Sequence, residues 1–578
     1  MSIRFPFVLG TALAAAAVGC GIAGQDRIAK PLEATMVAAT LGLPLFTALA
    51  LAAERTGSRR LAIALGLLGV ALLAGVGSAW PQWTEAVRFR RYAQFSLGFH
   101  LLVAFLPWWD GREPNGFWQY NRVLFIRFLS AGLHSAVLFG GLAVALLALD
   151  KLFGLKVHGT AYLRLWVLVA FVFNTWFFLG GVPGDLAALE QRRDYPLALK
   201  VFTQFILIPL VVVYLAILTA YLVRVLFTGQ WPSNWIGYLV SSVATAGILS
   251  ILLVHPLRDE PEHRWVGRYA RWFYLALLPA VGMLLFAIGK RVGQYGVTED
   301  RYFILVLAVW LAAISVLFLV RHRTGVRWIP ITLCALAFAT LAGPLGAYGV
   351  SRRSQTARLR VLLERSGVLV RGAIVPAGAA APFEVRKQLS AVIDYLLDAH
   401  GPAPVRSVLG GAMPALTGQA EVRGTTYAGQ GADARKVMTA LGLTYVDRRE
   451  GSQSESFYYS GFSSRIRAVP VGDADFHVRL DGTMPAEITV AGESWRFECV
   501  RGALALVTPR DTLWFPLDAL IDYAHAHGAG PDSVGAPRLT QRASGITALL
   551  VPRTYSGTGH GDSVSVYQMA GDLYLTVR

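Results

Sequence analysis

The chain divides by its apolar pattern into two parts. Over the first 350 positions, long apolar stretches alternate with short charged ones, at about 5–22, 33–53, 61–79, 93–108, 123–149, 162–183, 201–223, 235–254, 269–289, 303–320 and 328–349. Residues 201–223 hold no charged side chain between Lys200 and Arg224. At about 1.5 Å per residue, that is enough to cross a hydrocarbon core of about 30 Å. The spacing predicts an α-helical polytopic membrane bundle of about eleven transmembrane helices, with 201–223 as its central helix. Residues 5–22 follow Arg4 and end near Cys20. A lipoprotein-type signal would need a leucine three residues before that cysteine, so the expectation is a retained first helix.

After Gly349 the pattern changes. Residues 351–366 read as a basic amphipathic helix with Leu359, Leu362 and Leu363 on one side, an expected collar at the membrane interface, and a Gly/Ala/Pro-rich linker near 372–382 follows. Residues 383–400 repeat apolar positions at helical spacing up to Gly401, and a second short helix is expected at 433–441. From about 456 the alternation is that of strands, at 475–480, 486–491, 494–500, 502–508, 544–551, 563–569 and 572–577, interrupted by a helix at about 515–527. The expected organisation is a transmembrane domain over 1–350, an amphipathic helix and linker over 351–382, and a small soluble α+β domain over 383–578.

Composition agrees with a membrane protein: 54% of the residues are hydrophobic and 15% charged. The net charge of +17 is unevenly placed. Residues 1–350 carry 29 Lys and Arg against 15 Asp and Glu, whereas 351–578 carry 24 against 21. An excess confined to short loops anchors helices in lipid and argues against a nucleic-acid partner. With the N-terminus inside, the inner loops count 16 cations against 12 in the outer ones. That asymmetry predicts a multi-pass membrane protein with its N-terminus inside and its C-terminal domain outside the cytoplasm. Trp80 with Trp83, Trp108 with Trp109, Trp118 with Tyr120 and Trp231 with Trp235 are expected at headgroup depth. The three cysteines, Cys20, Cys334 and Cys499, are too far apart for a zinc ribbon or a redox pair.

Four stretches carry a resemblance: FWQYNRVLF at 117–125, 195–222, RVGQYGVTEDRYFILVLAVW at 291–310 and GPLGAYGVSRRSQTARLRVLL at 343–363. Together they resemble the bacterial inner-membrane proteins grouped as domain of unknown function 4153, over about 20–365 and more loosely in the tail. The resemblance implies a multi-span membrane fold and no catalytic or binding residues.

Chemistry-bearing signals are sparse. The run Tyr295-Gly-Val-Thr-Glu-Asp-Arg-Tyr302 joins two spans. Thr298 is expected to cap the second helix, with Glu299 and Asp300 in its first turn, Gly296 in a tight turn, and Arg301 as an interfacial anchor. The functional alternative is a gate or ligand contact formed by Glu299, Asp300 and Arg301 with Lys200, Thr203 and Gln204, which share one face of the central helix. Gln204 is expected to be buried and hydrogen-bonded to another span. The polar residues inside the spans are Gln94, His100, His134, Asn174, Thr203 and Gln204, and no acidic or basic group falls at the centre of any span. Pro209 and Pro279 are the candidate helix breaks. In the tail His525, His527, Asp532, His560 and Asp562 make a weak metal set, outweighed by a reading as ordinary turn and helix residues. No nucleotide-binding, hydrolase or metalloprotease motif occurs, and no catalytic, cofactor or metal residue is assigned.

Three classes of function remain open. The first is a non-enzymatic sensor, scaffold or envelope-assembly protein, whose partners would be the lipid bilayer and a membrane or envelope protein. The second is a transporter or channel for a hydrophobic or weakly polar substrate. The third is a membrane enzyme acting on lipid-linked substrates, for which Asp110, Arg112, Glu113, Asp185, Glu190 and Asp194 are the available group.

Overall fold

A computed structural model describes residues 4–25, 28–111, 113–229, 236–321, 325–376, 381–416, 432–446, 455–460, 474–483, 486–500, 503–517, 520, 538–560 and 563–577. Contacts divide the chain into two units, one of Met1–Ala357 with Asp398–Gly401, the other of Arg358–Leu397 with Pro402–Arg578.

The first unit is a helical bundle. Its helices are α1 (Pro6–Ile22), α2 (Lys30–Thr56), α3 (Arg59–Ala79), α4 (Glu85–Phe105), α5 (Pro114–Phe153), α6 (Gly159–Gly180), α7 (Leu197–Thr228), α8 (Ile236–Val254), α9 (Trp265–Tyr295), α10 (Glu299–Val320) and α11 (Trp328–Ala339), followed by α12 (Ala347–Arg365), which runs on into the second unit. Eight of them (α2, α3 and α5 to α10) are long and apolar enough to cross a membrane. Helices α1 and α11 are apolar but shorter. Helix α4 is long enough, but Glu85, Arg88, Arg90 and Arg91 load its first two turns with charge. The expected span at 328–349 is not one helix: α11 stops at Ala339, and a turn with Gly343 at φ +81° and then Pro344 separates it from α12. Such a φ and a proline without a donor both end helices.

Two large apolar clusters run through the bundle. One joins α1 to α5 around Leu41, Phe46, Phe99, Trp108 and Tyr120, and the other joins α7 to α10 around Val240, Phe273, Leu277 and Leu311. Gly247 lets α8 and α9 approach, since a Cβ there would lie 1.9 Å from the Phe273 ring. Several of the aromatic residues expected at headgroup depth are buried within the protein. Trp80, Trp108, Trp118 and Tyr120 are buried, and the Trp118 indole and Tyr120 hydroxyl donate to the carbonyls of Leu252 and Val103 at 2.7 and 2.8 Å. Those two polar edges are satisfied by protein, whereas the Trp80 and Trp108 indole nitrogens are buried without a hydrogen-bond partner. Trp231 and Trp235 lie outside the described residues.

Polar contacts sort the helix ends into two sets. At one end Arg4 pairs with Glu54 and donates to Val182 and Pro183, Arg55 pairs with Glu113, and Glu190 accepts from the Gly116 amide. At the other, Arg88 pairs with Glu33, Arg90 with Asp300, and the Tyr302 hydroxyl donates to Leu345.

The second unit is strand-rich with interspersed helices. Helix α12 contributes Leu359, Leu362 and Leu363 to a core with α13 (Phe383–His400), α14 (Pro402–Leu409) and α15 (Ala432–Ala440). These leucines therefore pack on protein and do not form the expected lipid collar. A two-stranded hairpin, β1 (Leu369–Val370) and β2 (Ala373–Ile374), occupies part of the expected linker. One sheet contains β3 (Glu455–Ser460), β10 (Ile546–His560), β11 (Ser563–Val577) and β4 (Phe476–Thr483) in that order, with β9 (Leu539–Ala543) also paired to β10. The other contains β5 (Ala486–Val490), β6 (Glu493–Val500), β7 (Ala503–Val507) and β8 (Thr512–Pro516). One core takes Leu480, Leu573 and Leu575 from the first sheet and Phe497, Leu504 and Phe515 from the second. The two strands expected at 563–569 and 572–577 are one strand, β11. The helix expected at about 515–527 falls almost entirely outside the described residues, and its first two positions belong to β8.

Candidate functional site

A buried polar group gathers where α10 begins. Gly296 ends α9 with φ +71° and ψ 176°, a conformation open mainly to glycine, and a Cβ there would meet the Gln355 amide nitrogen at 2.8 Å. Gln355 donates to the carbonyls of Tyr295 and Val297, both at 3.0 Å, and the Ser354 hydroxyl accepts from the Val297 amide. Arg301 donates to the Tyr295 and Gly296 carbonyls. The loop is thus held from both sides. Thr298 stands at the N-cap position with no side-chain capping bond.

Glu299 is turned into the protein and is 1% exposed. The Ser351 hydroxyl donates to its Oε1 at 2.7 Å, and the His400 Nε2 lies 3.3 Å from the same oxygen and 3.2 Å from Ser351 Oγ. Serine, histidine and glutamate together suggest a nucleophile, but the geometry is wrong for one. Ser351 gives its proton to the carboxylate, so His400 Nε2, facing two oxygens, is the donor. A catalytic histidine would accept from the serine through one ring nitrogen and donate to the acid through the other. Here one nitrogen faces both. The arrangement is a structural clamp on the last turn of α13, beside which Thr84 donates to the Ala399 carbonyl at 2.9 Å.

The clamp has neighbours. Asp300 takes a two-pronged ion pair from Arg90, at 2.9 and 3.1 Å. Arg91 lies between the Trp83 and Tyr348 rings, at 4.4 and 4.2 Å from their centroids. Burial pushes the Tyr348 phenol up, so it stays a neutral donor, bonding to Gln94 Oε1 at 2.8 Å. The Gln94 amide donates in turn to Thr340 at 3.0 Å.

Lys200, Thr203 and Gln204 are elsewhere. Leu199 packs with Leu253, and Ile208 with Val254 and Val266, which places this segment at the start of α9. Glu299 follows the end of that 31-residue helix, about 45 Å away along its axis. The structure therefore separates the six residues into two groups. Thr203 is buried and bonds its own helix at Leu199, and Lys200 is half-buried. Gln204 is half-buried, but its Nε2 is sealed from solvent without a hydrogen-bond partner, contrary to the expected bond to another span. Residues 202–207 form a π-helical turn that ends two positions before Pro209, and a second π-turn occupies 169–173. Helix α9 continues through Pro279.

The other intramembrane polar groups are closed locally. His100 and His134 each bond the carbonyl four residues earlier, and Asn174 bonds Ser135. The acidic groups at the Arg4 end are also engaged. Glu113 pairs with Arg55, Glu190 binds the Gly116 amide, and Asp185 caps the amides of Ala187 and Ala188. The hydrogen bond from Arg122 holds the Asp194 carboxyl below its ordinary range. Arg112 lies outside the described residues, as do His525, His527, Asp532, Asp562 and the side chain of His560. Among the described residues, no group of three or more His, Cys, Asp or Glu could hold a metal ion.

Sequence reasoning named Glu299 but missed Ser351 and His400, 52 and 101 positions later. It also passed over Arg127, a cation inside the 123–149 stretch whose presence there was itself the signal.

Residues 12–368 match the family described as "Domain of unknown function (DUF4153)". The chain belongs to this family. The matched region of this DUF4153 protein contains Glu299, Ser351, Arg90, Tyr348 and Gln94, whereas His400 lies beyond it. The "Uncharacterized protein PM1469" of the bacterium Pasteurella multocida is 25% identical over 264 residues, 44% of each chain. The chain thus aligns with under half the length of that curated relative. No solved structure matches the chain significantly.

Proposed function

We propose that this DUF4153 protein is a multi-pass inner-membrane protein that works without catalysis, as a sensor, scaffold or envelope-assembly protein displaying its strand-rich region outside the cytoplasm. The observation that carries this reading is the use made of its acidic groups. Glu113, Asp185, Glu190 and Asp194, which a lipid-processing enzyme would need free at one interface, are ion-paired or capping backbone amides. Glu299 clamps a helix end. In this proposal α1, α4 and α11 cross with the eight longer helices, giving eleven crossings, with the Arg4 end in the cytoplasm.

Single-cysteine labelling tests the orientation. With the native cysteines replaced, Glu487→Cys, whose side chain is 74% exposed, should react with an impermeant maleimide in intact spheroplasts. Arg60→Cys, exposed in the first turn of α3, should react only after lysis. The reverse pattern overturns the orientation.

One observation favours the transporter reading as an alternative. π-Turns recur at functional sites, and that at 202–207 holds Gln204 with its unpaired amide. Replacing an unpaired buried amide by an apolar group removes a desolvation cost. Gln204→Leu should therefore leave thermal stability in detergent unchanged or raise it by up to about 1 kcal/mol. Loss of cellular function at undiminished protein level would support transport, and full function would leave the scaffold reading alone.

A further inference from the structure

Helix α5 is 40 residues long, about 60 Å, twice what a bilayer core requires. Its charges show which part is in lipid. Between Arg127 and Asp150 run 22 residues without a charge, about 33 Å of helix. Arg127 therefore marks one edge of the hydrocarbon, and the preceding turns belong to the wet side.

At that edge is a cavity of about 390 Å³, lined by Val123, Ile126, Arg127, Ser130 and, from the segment after α6, Gly181 and Arg192. Arg127 has neither an ion pair nor a hydrogen bond among the described residues. Asp194, which lies in the field of Arg192, gives its carboxylate to Arg122 instead. The Arg127 stem lies directly over Gly181, where a Cβ would meet its Cδ at 2.2 Å. The absent side chain at 181 is thus what lets the guanidinium reach this position. Below the cavity the same face of α5 continues through Leu133 and Val137, 65% and 68% exposed.

We propose that this cavity binds the phosphate of an anionic phospholipid, with Arg127 and Arg192 on the phosphate, Ser130 as a further donor, and the acyl chains along Leu133 and Val137. Two guanidinium groups suit a phosphate because each offers paired donors. The apolar stripe running on from the cavity distinguishes a lipid from free phosphate. The inference does not depend on the orientation proposed above.

The test compares thermal unfolding of the purified full-length protein in phosphatidylcholine nanodiscs, in nanodiscs also containing phosphatidylglycerol, and in phosphatidylcholine nanodiscs with inorganic phosphate. Phosphatidylglycerol should raise the melting temperature, and inorganic phosphate should not. The double variant Arg127→Gln/Arg192→Gln should melt like wild type in phosphatidylcholine and lose at least about half of the phosphatidylglycerol increment. Gly181→Ala, which keeps both charges but displaces Arg127, should lose a similar share. Arg193→Gln, outside the cavity, should keep the full increment. An increment equal in wild type and both cavity variants overturns the site. An increment produced equally by inorganic phosphate overturns the lipid assignment.

Discussion

Glu299→Ala should destabilise the detergent-solubilised protein by about 2–4 kcal/mol, while Glu299→Gln should cost about 1 kcal/mol. The alanine removes the acceptor shared by Ser351 and His400 in a place where neither can turn to water, since Ser351 is fully buried and the His400 side chain is 7% exposed. Ser351 has a fallback in the Tyr348 carbonyl at 3.3 Å, which limits the loss. A glutamine keeps the shape and one acceptor oxygen, so the Ser351 bond survives. Thermal unfolding of the two variants beside wild type decides the matter. If they are equally unstable, the negative charge itself holds the clamp. If both match wild type, the clamp contributes nothing. The clamp reading also predicts that Ser351→Ala keeps whatever cellular function the protein has, whereas a nucleophile would lose it.

What was legible in the chain was whatever depends on near neighbours in sequence. The uncharged runs identify the long helices, because crossing lipid demands internal hydrogen bonding and an apolar surface over a fixed length. The turn at Gly296 was legible for the same reason. Partners across the fold were not. Leu359, Leu362 and Leu363 show an amphipathic face at once, but an apolar face reads alike whether it meets lipid or other helices, and here it meets α13 to α15. A fragment starting at residue 383 would leave those three leucines behind. The burial of Trp118 and Tyr120 was not legible either, since a ring with a polar edge suits a headgroup or a buried carbonyl equally well. The Glu299 clamp needs residues from three helices, and nothing local to Ser351 or His400 marks them. Gln204 is the converse: its helical face was legible, but the neighbour it was expected to bond is not there.

Part of the acid sensitivity of the strand-rich region should come from the carboxylate of Asp572. The pairing of β10 with β11 shifts register between Pro552 and Thr554, which leaves Arg553 as an extra residue. Gly571 sits opposite Pro552, and a Cβ there would lie 2.6 Å from the Val551 carbonyl oxygen. Such a bulge re-aims a side chain, and Arg553 is carried onto Asp572, its Nε 2.8 Å from Oδ2. His477, from β4, meets Oδ1 at 2.9 Å with its ring stacked on Tyr574. Burial pushes the Asp572 carboxyl up, but the bonds from His477 and Arg553 outweigh it and hold the group below its ordinary value. A carboxyl depressed in the folded state contributes stability that is present above its unfolded value, about 3.9, and is lost as pH falls through the folded one. Asp572→Ala should therefore cost about 1.5–3 kcal/mol at neutral pH. The lower half of that range is favoured because His477 and Arg553 are half exposed and can be hydrated once the carboxylate is gone. Hydrogen exchange of β10 and β11 in the full-length protein gives the measurement. Wild-type protection should fall below about pH 4 and converge there on that of the variant, which starts lower and changes less. A constant gap between the two down to the lowest pH at which the protein stays folded would show that Asp572 supports the bulge by its shape rather than by its charge.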